Sequence, residues 1–203
     1  INIVQCRPLQ TRGLGKSIEI PKLLNKKDCL FSSKGNFMGG NIRLPIDCIV
    51  YVSADEYLDL TEVDKYKIAR QIGILNTLLK GKNTMLMGPG RWGTSTPSLG
   101  VPVHFTELNN MSVMCEIAYS DRDIVPELSY GSHFFQDLVE TGIFYVALFD
   151  NKENVVFNED ALKERENIAS RFSKSINTDV IKVYDTKGLE IYSDIKEQIV
   201  MCK

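Results

Sequence analysis

The sequence predicts an α/β or α+β domain: a mixed central sheet with flanking helices, forming a single main domain. Three observations predict it. Between residues 47 and 149, apolar β-branched runs alternate with helical periodicity. One segment, 61–81, carries helix signals at both ends. A Gly/Pro-rich loop directly follows a strand, which is where α/β proteins place ligand sites. The chain has 203 residues, 43% hydrophobic and 25% charged, long enough to bury a sizeable core.

The elements follow in order. Residues 1–7 read as a strand ending at Arg7-Pro8. The first residue is Ile1 and the chain opens inside this strand, so the expectation is a piece of a longer protein. Residues 11–27 hold Gly13, Gly15 and Pro21 and read as a linker, which leaves 28–203 as the main domain. Asp47 to Ser53 is β-branched and aromatic, a strand. Thr61 then caps a helix with Glu62 and Asp64 in its first turn. Its expected apolar stripe is Val63, Tyr66, Ala69, Ile72, Leu75 and Leu79, with Gly81 just beyond the end.

Asn83 to Met87 reads as a strand that empties into the loop 88–102. Ser112 to Tyr119 is another strand. Ser132 to Thr141 reads as a short helix capped by Ser132 and stopped by Gly142, followed by the strand Ile143 to Phe149. Residues 158–175 read as an exposed charged helix or two short ones. Short strands at 180–184, 188–192 and 198–202 either extend the main sheet or make a small appendage.

Composition excludes several function classes. With 24 Lys+Arg against 26 Asp+Glu, the chain offers no electrostatic case for nucleic acid or an anionic membrane. No apolar run reaches the ~20 residues of a membrane span, and no signal peptide is visible. The five cysteines are Cys6, Cys29, Cys48, Cys115 and Cys202, scattered and without zinc spacing. They read as small buried hydrophobes in a reducing cytosol, so the expected compartment is cytoplasmic and no metal site is expected.

Three segments could carry chemistry. In the loop 88–103, Gly88, Gly90 and Gly93 would let backbone amides approach a phosphate, and Arg91 would add charge-assisted bonds. Trp92 would be a stacking or packing surface there, with Thr94, Ser95 and Thr96 as hydroxyl donors. It is no P-loop, since GxxxxGK[ST] is absent. The competing reading is a rigid loop around a buried Trp92. In the second segment, 129–136, Ser132 and His133 stand at a helix start, where a His can serve as base or anion donor. Phe134 and Phe135 beside it argue instead for a partly buried structural His133, and His104 reads as strand. The third segment places Gln5 and Arg7 on one face of the opening strand. Asp55, Glu56, Asp121 and Asp123 read as solvated or capping acids.

Together the segments VQCRPLQ, NFMGGNIRLPIDCIVYVS, GPGRWGTSTPSLGVPV and SYGSHFFQDL resemble the phosphoenolpyruvate synthase and pyruvate, phosphate dikinase family. The likeness covers most of residues 1–149 and is weak beyond. Val101 stands where the family pattern has Ile. The resemblance implies that residues 1–10 close an upstream ATP-grasp-like domain, with Gln5 and Arg7 beside its nucleotide. ATP and Mg would belong to that parent protein, whose upstream domain is the implied partner, alongside a possible homodimer. His133 does not match the family's phosphohistidine signature, so that role does not transfer. The chain alone is then expected to be inactive in phosphoryl transfer. It would either contribute an anion-binding loop or serve as a structural or docking domain.

Overall fold

The computed structural model describes residues 18–22, 25–121, 129 and 132–203. The Gln5/Arg7 segment and most of the linker lie outside them. The elements are β1 (Phe31–Lys34), β2 (Phe37–Met38), β3 (Ile42–Val52), α1 (Ala54–Leu58), α2 (Glu62–Leu78) and β4 (Thr84–Pro89). They continue with β5 (Val113–Ala118), α3 (His133–Thr141), β6 (Phe144–Phe149), β7 (Val155–Phe157), α4 (Asp160–Lys163), β8 (Ile181–Asp194) and β9 (Ile199–Cys202).

The strands form one mixed sheet in the order β2-β6-β5-β4-β3-β8-β9-β1-β7. The run β3-β4-β5-β6 is parallel, and every other pairing is antiparallel. This is the mixed sheet with flanking helices that the sequence predicts. Strands β8 and β9 are integral to it, so residues 181–202 extend the main sheet. The sheet also curls. β1 and β2 are separated only by Gly35 and Asn36, yet β1 pairs with β9 and β2 with β6, toward opposite ends of the order. The Ala147 amide donates to the Asn36 carbonyl at 2.8 Å across that closure.

Period-two alternation divides the core between two faces. Met85, Met87, Val113, Cys115, Ile117, Val146 and Leu148 join Phe31, Ile191 and Cys202 on the face enclosed by the curl. Leu86, Met114, Tyr145 and Ala147 point the other way, under α2, α3 and the loop 90–112. Helices α2 and α3 cover this outer face, while Ala54 of α1 and Leu162 of α4 pack on the enclosed one.

Helix α2 begins as expected, with Thr61 Oγ1 accepting from the Asp64 amide at 3.2 Å. Its buried stripe is Ile68, Ala69, Ile72, Leu75 and Leu79, with Lys65 laid over the Tyr57 ring at 5.3 Å. Val63 and Tyr66 are a correction, for both are exposed. At 100° per residue they fall opposite Ile72 rather than beside it. Helix α3 also begins and ends as expected: Ser132 Oγ accepts from the Phe135 amide at 3.1 Å, and Gly142 closes it at φ 78°.

Three further boundaries differ. β4 runs through Gly88 and Pro89, because both pair in register with Glu116 and Ile117 of β5. The charged segment 158–175 forms only α4 and a 3-10 turn at Ala169–Arg171. The two strands expected at 180–184 and 188–192 lie, from Ile181 on, in one long β8, with a register irregularity opposite Ile46 and Cys48.

Candidate functional site

The loop 88–103 leaves the C-terminal end of β4 and is tied down at every glycine. Gly88 pairs with Glu116 in the ladder. A Cβ on Gly88 would lie 2.7 Å from Cζ2 of Trp92, so the indole occupies the space above this glycine. A Cβ on Gly93 would strike the Phe134 ring of α3 at 2.3 Å, and φ at Gly93 is +67°. One on Gly100 would strike the Arg91 carbonyl at 2.1 Å. The loop therefore doubles back on itself through a bridge between Gly90 and Gly100.

Its amides are committed within the fold. Gly90 N–H donates to the Ile117 carbonyl at 2.9 Å, Arg91 to Leu99 at 2.8 Å and Gly93 to Val101 at 3.1 Å. Trp92 N–H donates to Glu116 Oε1 at 2.9 Å. The Thr96 amide donates to Thr94 Oγ1 at 3.1 Å. A phosphate cradle needs such amides converging on open space. The amides from Gly90 to Gly93 instead each have a carbonyl or carboxylate. Neighbouring elements brace the loop from outside. Tyr57 Oη donates to the Gly100 carbonyl at 2.9 Å, Tyr66 Oη to Ser95 at 3.1 Å, and Arg70 to Pro102 at 3.2 Å.

At the centre stands Glu116, fully buried on the helix-covered face. Besides Trp92 N–H, its carboxyl accepts from the Ser129 amide at 2.9 Å and from Tyr145 Oη at 2.6 Å. Ser129 Oγ donates to it as well, while lying 3.0 Å from the Trp92 carbonyl. That hydroxyl has one proton, which serves one acceptor at a time. Phe135 of α3 meets the Tyr145 ring edge-on at a centroid distance of 5.1 Å. One carboxyl thus joins β5, β6, the 88–103 loop and the segment before α3. Burial pushes the Glu116 carboxyl above the usual carboxylate range, and the bonds from Ser129, Tyr145 and Trp92 act against that shift.

Among the sequence candidates, the structure brings Gly88, Gly90, Arg91, Trp92 and Gly93 together with the start of α3 through the Gly93–Phe134 contact. Trp92 is wholly buried, and its indole N–H has no acceptor among the described residues. Arg91 is half-buried. Ser132 is engaged as the α3 cap, and His133 is exposed on the first turn. The partial burial expected for His133 falls instead on its neighbours Phe134 and Phe135. His104, expected in a strand, is exposed ahead of a 3-10 turn, where its amide donates to Glu107 at 2.8 Å. Asp55 and Glu56 are exposed in the first turn of α1, and Asp121 is exposed. Gln5, Arg7 and Asp123 lie outside the described residues.

Sequence reasoning missed Glu116, Ser129, Tyr145 and Tyr57. A signal existed for Glu116: it is the one charge within the apolar run Val113 to Ala118. A buried parallel strand carries a charge only where partners meet it. Among the described residues, no group of three His, Cys, Asp or Glu side chains is placed to hold a metal. No described helix is long and apolar enough to cross a membrane. Compared with known protein families, curated proteins and solved structures, the chain matches none.

Proposed function

We propose that this chain is a non-catalytic structural or docking domain of a larger phosphoenolpyruvate-synthase-like, ATP-dependent phosphotransferase. ATP and Mg would be handled by an upstream ATP-grasp-like domain, to which Gln5 and Arg7 would belong. The observation that carries this reading is the commitment of the amides of Gly90, Arg91, Trp92 and Gly93 to acceptors inside the fold. The motif GPGRWG then works as a rigid clasp, with Trp92 as the plug over Gly88 and Glu116 as its latch. Among the described residues, the buried cysteines Cys29, Cys48, Cys115 and Cys202 suit a reducing, cytoplasmic setting.

The competing reading makes the same loop an anion site through Arg91, Ser132 and His133. Calorimetric titration with MgATP, inorganic phosphate and phosphoenolpyruvate separates the two. The structural reading expects no saturable heat from wild type or Arg91→Ala. Saturable binding by wild type that Arg91→Ala abolishes would overturn it in favour of the anion site.

A further inference from the structure

The outward face of α2 carries four exposed apolar side chains. Val63 is 66% exposed, Tyr66 42%, Ile74 39% and Leu78 49%. They are four of the six exposed large hydrophobics among the described residues, the others being Met38 and Ile195. At 100° per residue they lie with Lys67 and Arg70 on the face opposite Ile68, Ile72, Leu75 and Leu79. A surface helix ordinarily shows polar residues on its outer face, and α2 sets these four apolar side chains beside Lys67 and Arg70 there. Arg70, midway along the stripe, is neutralised within its own chain, with Nε 2.5 Å from Glu107.

Charge on α2 fixes what fits there. Glu62 stands in the first turn and Lys80 just beyond the last, both exposed. They stand at opposite ends of the helix, about five turns apart. Parallel pairing of two such helices would set Glu62 beside its own copy and Lys80 beside its own. Antiparallel pairing sets Glu62 against Lys80, opposes the helix dipoles favourably and brings Val63 onto Leu78. The charged pair and the apolar pair both place the crossing point at Arg70 and Gln71. We propose that α2 is a self-association surface, on which a second copy of this chain docks its own α2 in antiparallel orientation about a two-fold axis. The pairing does not depend on the role of the 88–103 loop.

The test is sedimentation equilibrium of the full chain from about 5 to 500 μM. A lone helix pair buries less than the roughly 1,200 Å² of stable interfaces, so the expected dimer is weak, in the micromolar range. Leu78→Glu should weaken it at least about tenfold with the circular dichroism spectrum unchanged, because Leu78 is exposed. Glu62→Lys should weaken it a few-fold, about what one surface ion pair contributes, and Lys80→Glu added to it should restore it. Val63→Cys mixed with Leu78→Cys should cross-link on oxidation. Val63→Cys alone should not, since the two Val63 positions would lie about 22 Å apart along the helices. A monomer throughout the range, a dimer indifferent to Leu78→Glu, or cross-linking by Val63→Cys alone would each overturn the proposal.

Discussion

Replacing Glu116 by Gln keeps the shape of the buried node and removes one of its acceptor oxygens. At Oε1 the carboxyl serves the Trp92 amide, and at Oε2 it serves the Ser129 amide and Tyr145 Oη. Hydroxyls can rotate to accept from a new NH2 group, and backbone amides cannot. Whichever way the carboxamide is turned, one backbone N–H faces another donor. An orphaned buried donor costs about 1–3 kcal/mol. For a chain of this length each kcal/mol moves Tm by roughly 2–4 °C, so Glu116→Gln should melt about 2–12 °C lower. Trp92 is the sole tryptophan and sits in the node, so its fluorescence reports locally while far-UV circular dichroism reports globally. Urea unfolding followed by both probes should show the loss. A variant within about 0.5 kcal/mol of wild type, the usual range for an inert surface change, would refute the idea that this carboxyl latches the loop.

The same pair of proteins should differ in pH dependence. The folded carboxyl of Glu116 is raised above its ordinary 4.5, so its stabilisation is complete below that value and is lost as pH rises through the folded one. The stability advantage of wild type over Glu116→Gln should therefore be greatest near pH 4.5 and narrow upward, measured by urea unfolding at several pH values. Gly100→Ala meets backbone atoms of Arg91 at 2.1 and 2.5 Å and should destabilise by about 3 kcal/mol, whereas Gly81→Ala meets nothing within 4 Å and should lose only about 1 kcal/mol to its φ of +89°. Comparable losses at both glycines would show that the loop yields to accommodate the methyl. Burial pushes the Cys115 thiol well up and the Cys202 thiol to about 12. Thiol labelling read by mass spectrometry should find both at least ~100-fold slower in the native protein than in urea, and equal rates would contradict the packing of the enclosed face.

Local chemistry explains which parts of the fold were legible. Thr61 and Ser132 cap α2 and α3 in the structure because a side-chain hydroxyl at those positions satisfies an amide of the first turn wherever the helix lies. Gly142 ends α3 for an equally local reason, its left-handed φ. The apolar runs at β3, β5 and β6 declared themselves as buried strands by composition alone. In the same way, the Gly/Pro loop after β4 announced a special place. Whether its glycines served a ligand or the chain's own packing was not local information.

Tertiary structure decided the rest, because it turned on partners distant in sequence. Val63 and Tyr66 match the helical spacing of the core residues on a loose count, but the neighbours of α2 determine which arc is buried. Residues 181–192 became one strand because β3 pairs with them on both sides of a register break, and Gly188, at φ +97°, falls within that break. The charged segment 158–175 forms only the short α4 and a 3-10 turn, each anchored by one buried apolar side chain, Leu162 and Ala169. Glu116 gained its meaning only when Ser129, 13 residues away, Trp92, 24 away, and Tyr145, 29 away, closed around it. By itself the sequence determined the mixed α/β architecture, its helix ends and the place of the loop, since these rest on periodicity and on bonds within one turn. The commitment of that loop's amides, the latch at Glu116 and the exposed apolar side chains of α2 were settled by the packing of separate segments, which no local pattern encodes.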